Sequence, residues 1–329
     1  MLCPTCQTAG RKFGKDREDN QRFQCVTCRK TYSARPASPL GSMRLDMGKA
    51  TQVLQLLLEG MSVRAAMRVT GVNRNTILDL LVHVGGRSEV MLEDRLKAIP
   101  VADVQVDEVW GYVFCKEKTR TRKYEGAEEV GDAYCFIGME RTTKLILAWH
   151  LGRRSAEDTH EFARKLAGAV SGQFQITTDG FKPYQTAIPL ILQGADFATL
   201  VKTYATKGDE HRYSPGEVNG TIKRGCCGNP DPARICTSHV ERANLTVRMQ
   251  DRRMTRLTNA FSKKWENHRA SMALHFAWFN FGRPHQTLTD ATRGEDKSKR
   301  AVPTTPAMAA GLESRPWTLR ELVEGSTLN

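Results

Sequence analysis

Two cysteine pairs at the N-terminus, Cys3-Pro4-Thr5-Cys6 and Cys25-Val26-Thr27-Cys28, stand 18 residues apart and limit what the start of this chain can be. A segment of about 30 residues holds too little apolar material to fold on a core of its own. Four thiolates at this spacing match the four-sulfur zinc pattern, in which two knuckles face each other across one tetrahedral ion. Zn2+ on Cys3, Cys6, Cys25 and Cys28 is therefore expected to supply the missing stability. Chance spacing or a redox pair is the competing reading. The interleaved Arg11, Lys12, Lys15, Arg17, Arg22, Arg29 and Lys30, with Phe13, Phe23 and Tyr32, suit contact with a DNA backbone. A purely structural ribbon is the plainer alternative.

Length and charge widen the picture. At 329 residues the chain predicts two or three folded units. Lys and Arg number 49 against 36 Asp and Glu, a formal charge of +13, so an acidic polymer is the expected partner. No apolar run approaches the roughly 18 residues that span a bilayer. The start at Met1-Leu2-Cys3 lacks the basic and apolar stretches of a secretion signal. Paired cysteines within an odd total of nine point to metal rather than disulfides, hence to a reducing, cytoplasmic setting.

Composition shifts divide the chain into a zinc ribbon over 1–35, a helical domain over 36–98, an α/β domain over 99–282 and a tail over 283–329. Residues 33–39 read as a linker. In the second unit Val53, Leu54, Leu57, Leu58, Ile77, Leu80, Leu81 and Val84 recur at helical spacing. Between these runs Ser62 would cap one helix, Gly71 would allow a tight turn and Asn73 would cap the next. Arg74, Asn75 and Thr76 would then reach base edges from the start of the second helix. A helical hairpin used only for packing is the alternative.

In the third unit, residues 104–114, 133–139 and 145–151 are rich in β-branched and aromatic side chains, with a turn at 140–144, and predict three antiparallel strands. A helix over 156–170 capped by Ser155, a strand over 174–178, a helix over 184–192 and a strand over 198–203 follow. The polar stretch 205–236 reads as an insertion loop, and two helices are expected over 238–281. Asp107 sits inside the first strand pattern, where a charge is costly unless paired or bound to metal. Asp179 follows the fourth strand directly and precedes Gly180, a place with room for a ligand. Glu241 opens a helix on whose continuing face Arg248, Arg252 and Arg256 fall. A turn aspartate and a solvated charged helix are the ordinary readings of the last two features taken singly. Cys226, Cys227, Cys236 and His239 do not repeat the zinc spacing; they could gather a second metal, but buried or incidental thiols are the commoner reading.

The blocks Asp107-Glu108-Val109-Trp110-Gly111-Tyr112-Val113, Thr178-Asp179-Gly180-Phe181-Lys182-Pro183-Tyr184 and His239-Val240-Glu241-Arg242-Ala243-Asn244-Leu245-Thr246-Val247-Arg248 resemble the three catalytic blocks of the Insertion Sequence One transposase family. The resemblance continues through residues 261–268, and the zinc and helix-turn-helix arrangement is similar too. It implies a DDE transposase with an RNase H-like catalytic domain, a mixed five-stranded sheet flanked by helices. Asp107, Asp179 and Glu241 would then hold two Mg2+ ions, or Mn2+. Arg248 would be the basic residue seven positions after the glutamate, and Arg242, Arg248, Arg252 and Arg256 would contact DNA. Double-stranded DNA, as element ends and target, is the implied partner. A homo-oligomer, at least a dimer on DNA, and a nucleoid-associated place in a prokaryotic host are expected. The chain departs from short family members by extra residues between Glu117 and Asp132, by the insertion, and by the tail with Asn280-Phe281-Gly282-Arg283-Pro284-His285. A transcriptional regulator with an inactive catalytic domain and an RNase H-type nuclease remain as rival readings.

Overall fold

A computed structural model of the protein describes residues 1–17, 19–33, 38–204, 218–256, 258–294, 296 and 298–325. The expected linker falls partly outside these residues, at 34–37. Three short strands, β1 (Gly10–Lys15), β2 (Gln21–Cys25) and β3 (Thr31–Ser33), form an antiparallel sheet in that order. Among the described residues of this unit only Cys3 and Cys25 are buried apolar side chains. Its interior is the thiol cluster itself.

Helices α1 (Met47–Leu58), α2 (Val63–Thr70) and α3 (Arg74–Arg95) follow. Ser62 Oγ accepts from the Ala65 amide, Gly71 takes the left-handed conformation at φ 72°, and Asn73 Oδ1 accepts from the Asn75 amide. A residue with a Cβ would be strained at that φ. The apolar positions picked out by helical spacing are all buried. The periodic run ends at Val84 in the sequence, yet α3 continues through Gly85-Gly86 for another two turns and more. The glycines read as a stop because they are poor helix formers. In the fold Gly85 is a point of close approach: a Cβ there would meet the backbone of Ala270, 2.3 Å from its carbonyl oxygen and 2.7 Å from its carbonyl carbon and Cα.

The α/β body contains β4 (Ile99–Pro100), β5 (Asp103–Val113), α4 (Glu117–Lys123), β6 (Gly131–Glu140), β7 (Ile146–Gly152), α5 (Ala156–Ala169), β8 (Val170–Ser171), β9 (Gln175–Thr178), α6 (Lys182–Ile191), β10 (Asp196–Tyr204) and β11 (Val218–Cys227). Helices α7 (Ser238–Gln250) and α8 (Trp265–Ala277) come next, and a π-helical turn at Trp278–Gly282 extends the latter. One mixed sheet runs β11-β10-β9-β5-β6-β7. β5, β6 and β7 are antiparallel neighbours, β9 and β10 run parallel to β5, and β11 returns antiparallel. β4 and β8 form a separate parallel pair.

Three sequence expectations need correction here. The sheet has six strands, not five, because 218–227 within the expected 205–236 loop is β11; residues 205–217 lie outside the described residues. No β11 side chain is buried, so no hydrophobic alternation marks it, and it is held by backbone pairing to β10. The helix carrying Glu241 ends at Gln250, so Arg252 and Arg256 lie beyond it in a short 3-10 turn and the bend that follows. The C-terminal stretch is not a loose tail: α9 (Gln286–Ala291), α10 (Pro306–Ala309) and α11 (Leu319–Gly325) form within it, and Ala307, Leu319, Leu322 and Val323 are buried. Short helices separated by prolines leave too few turns for a periodic signal.

A continuous set of buried apolar residues runs from Leu40 through α3 and the sheet to Val323, across residue 98. Asn280, fully buried, fastens the π turn to β7: its amide accepts from the Ile146 N–H at 3.0 Å and donates to the Ile146 carbonyl at 2.8 Å. Among the described residues no helix is long and apolar enough to cross a membrane.

Candidate functional site

The register of β5 and β9 sets the acids side by side. Gln105 pairs with Thr177 in the parallel ladder, and two residues further along each chain stand Asp107 and Asp179. Parallel neighbours lie about 4.8 Å apart, so the two carboxylates are adjacent by construction. Asp179 is just past the last residue of β9, and its Oδ1 accepts from the Phe181 amide at 2.9 Å, which closes the turn into α6.

Glu108, next to Asp107 and so on the other face of β5, joins them. One carboxylate oxygen each of Asp107, Glu108 and Asp179 lie within 4.8 Å of one another. The Glu108 side chain is only 3% exposed. Arg154 bridges this group from the β7–α5 turn, with its guanidinium 3.7 Å from Glu108 and 3.5 Å from Asp179, and it stacks 4.2 Å above the Phe181 ring. Burial, first, and then the charge of Asp179 push Glu108 up to about 8. Burial likewise raises Asp107 to about 6, helped by the charges of Asp179 and Glu241. Two buried carboxyls held above their ordinary range, each beside the Asp179 charge, mark a group short of positive charge.

Helix α7 is docked onto β5 by two side chains of that strand. Gln105 Oε1 accepts from the His239 and Val240 amides at 3.0 and 3.3 Å, satisfying donors of the helix's first turn. Asn244 Nδ2 donates to Asp107 Oδ2 at 2.7 Å. Glu241, one turn before Asn244, does not join the close cluster. Its two oxygens accept from Lys202 Nζ of β10, both at 2.5 Å, and Oε1 also accepts from the Thr237 hydroxyl at 2.6 Å. Arg248 is half-buried further along α7; burial and the nearby Arg256 lower its pKa, while the Asp107 charge works the other way. Arg74, Asn75, Arg242 and Arg256 are exposed, and Thr76 and Arg252 partly so.

The sequence reading thus named two of the three clustered acids and missed Glu108, Gln105, Asn244, Lys202 and Arg154. Glu108 had a signal, since a second acid inside an apolar strand needs the same explanation as the first. The others had none, because their roles depend on partners remote in sequence.

The donor sets fit metal ions of two kinds. The carboxylate cluster could hold Mg2+, which takes oxygen ligands at about 2.1 Å. Around it Glu108 Oε1, Asn244 Oδ1 and Arg248 Nε are buried without a hydrogen-bond partner among the described residues. The four ribbon cysteines form the other group, again with ligand atoms within 4.8 Å, and could hold Zn2+. Cys3 and Cys28 sulfurs are 3.7 Å apart, close to the roughly 3.8 Å edge of a tetrahedron with 2.3 Å Zn–S bonds. Cys226 and Cys227 are exposed on β11, and Cys236 meets the Ser238 hydroxyl, so these thiols join neither group.

No protein-family model matches the chain. Among solved structures it is similar to the crystal structure of endonuclease V from Bacillus subtilis, at 16% identity over 62% of this chain and 91% of that one, with a TM-score of 0.20. A superposition that loose says nothing of this chain's fold or function.

Proposed function

We propose that the protein is a DNA transposase that cuts the ends of a mobile element and joins them to a target. The observation that carries this reading is the pair Asp107 and Asp179 on adjacent parallel strands, tied through Asn244 to the helix that bears Glu241. The order β10-β9-β5-β6-β7 supports reading the body as RNase H-like, and the capped α2–α3 turn with exposed Arg74 and Asn75 supports a helix-turn-helix that reads DNA.

Asp107, Asp179 and Glu241 would hold two Mg2+ ions, with Glu108 beside them. Divalent ions held there would supply Lewis-acid activation of the attacking oxygen and charge stabilisation for the leaving one. The chain's own groups do the rest. Asn244 fixes the Asp107 carboxylate by its 2.7 Å hydrogen bond. Lys202 neutralises Glu241 until a cation arrives. Arg248 keeps an unpaired buried N–H to offer a phosphate, and Arg242 and Arg256 extend positive charge along the surface. At least a dimer would act, since two ends must be held together.

The test is incubation of the full chain with Mg2+ and fragments spanning the DNA on either side of its own gene. End-specific nicks and strand-transfer products are expected, and both should vanish in the Asp107→Asn, Glu241→Gln double variant. Products unchanged in that variant would overturn the assignment. Nicks without any joined product would favour a nuclease of the RNase H type, and binding without cleavage would favour a regulator.

A further inference from the structure

Beyond the acids, β5 continues as a row of rings. Trp110 and Tyr112 alternate with buried Val109, Gly111 and Val113, so they share the face on which Glu108 lies, and Phe114 follows just past the end of the strand, where the chain turns at φ 63°. Trp110 and Tyr112 have centroids 5.7 Å apart, and Phe261, from the segment beside the end of β5, lies 4.7 Å from Tyr112. That segment is fixed by a parallel bridge between Val113 and Ser262. Trp110, Tyr112 and Phe261 are half-exposed and Phe114 is 41% exposed. A strand end that only had to pack would bury such rings, as Phe136 of β6 is buried beneath Phe162 of α5.

Positive charge borders the row throughout. Lys263 Nζ stands 3.6 Å over Phe261 and 5.9 Å from Phe114, and Lys116 Nζ stands 5.8 Å from Trp110. Helix α4, in the stretch where the chain is longer than short transposases of the resembled family, has no buried residue and carries exposed Lys118, Arg122 and Lys123. Rings 5.7 Å apart along a strand, flanked by ammonium groups, provide what an unpaired polynucleotide needs: π faces for bases and cations for phosphates. A duplex buries its base faces and cannot use the rings.

We propose that this face binds an unpaired DNA strand, with bases stacked on Trp110 and Tyr112 and phosphates met by Lys116 and Lys263, and that it leads the strand to the acid cluster. The row begins two residues from Glu108, so a strand lying along it reaches the carboxylates end-on. This rests on the reading of the acid site as one that acts on DNA, and binding can be measured apart from cleavage.

The experiment uses the zinc-loaded full chain with no added Mg2+ or Mn2+ and no chelator, so that binding is read without cleavage, with a short oligothymidylate and a hairpin duplex of equal charge as probes. Oligothymidylate should quench part of the tryptophan fluorescence, and Trp110→Ala with Tyr112→Ala should weaken its binding by about 10- to 100-fold. Hairpin affinity should change less than about threefold in the same variant, which also shows that it is folded. Lys116→Ala with Lys263→Ala, which leaves the rings in place, should lower the salt dependence of oligothymidylate binding. Equal losses for the two probes, no loss at all, or absence of oligothymidylate binding by the native chain would overturn the proposal. If the strand binds as expected while the Mg2+ assay yields no cleavage, it is the transposase reading that fails.

Discussion

The two metal-binding candidates differ in what surrounds them. The cysteine cluster comes from residues 3–28 and sits in a sheet with no other buried apolar side chain among the described residues. The carboxylate cluster draws on residues 107–179 and is embedded where β5 and β9 meet a continuous hydrophobic core. In the first, the ion would complete the fold. In the second, the fold stands first and forces acids together at a cost in stability that a cation would remove. A metal site can therefore be a structural element or a consequence of structure, and the number of buried apolar neighbours tells which.

The largest effect expected from this contrast is on the ribbon. Chelation of zinc, or Cys25→Ser, should unfold residues 1–33, on the scale of the 10 kcal/mol or more that such sites contribute. Hydrogen exchange should show protection lost there while the melting transition of the body stays in place. A body that melts along with the ribbon would break the comparison.

Next in size is Asp107→Asn. Losing one clamp on the ions removes several kcal/mol of transition-state stabilisation, roughly 10^3-fold in the rate of Mg2+-dependent strand cleavage. Thermal stability should hold or rise, because a charge leaves a crowded group. A variant that is both inactive and markedly less stable would mark Asp107 as structural.

The pH dependence of the metal-free body is smaller. Glu108 is raised from 4.5 to about 8 and Asp107 from 3.8 to about 6. Between the lower and upper value of each, the folded state keeps a proton that the unfolded chain has released, so stability falls as pH rises. The decline should amount to a few kcal/mol between about pH 5 and 8, flatten in Glu108→Gln and shrink when Mg2+ is added. Denaturant titrations at a series of pH values would reveal a slope of the opposite sign if the acids were adequately paired.

Smallest is Lys202→Ala. Glu241 is 39% exposed, so its ion pair is screened and worth at most about 1 kcal/mol. Removing the lysine should tighten Mn2+ binding by up to about fivefold in calorimetry. Weaker binding would mean that Lys202 positions Glu241 and does not compete with the ion.

Local chemistry was legible in advance wherever near neighbours set it. Ser62, Gly71 and Asn73 cap and turn their helices within three residues, and Ser155 caps α5 through the Asp158 amide. The strands of the body's sheet could be read where alternation or a β-branched run marked them, within two residues at either end. β11 could not, since a strand paired through its backbone at a sheet edge leaves no mark on side-chain composition. Nor could the role of Gly85-Gly86, where the reason for the glycine is the backbone of Ala270.

The amino-acid order alone determined the four-thiol grouping, the capped helices, the run of strands and the presence of acids where acids are costly. Tertiary structure decided that Glu108 belongs with Asp107 and Asp179, that Glu241 is held by Lys202, and that the C-terminal helices complete the core. The division follows range: hydrogen bonds closed within a turn are encoded by adjacent residues, whereas a carboxylate's partner is chosen by the packing of strands and helices that may be a hundred residues apart.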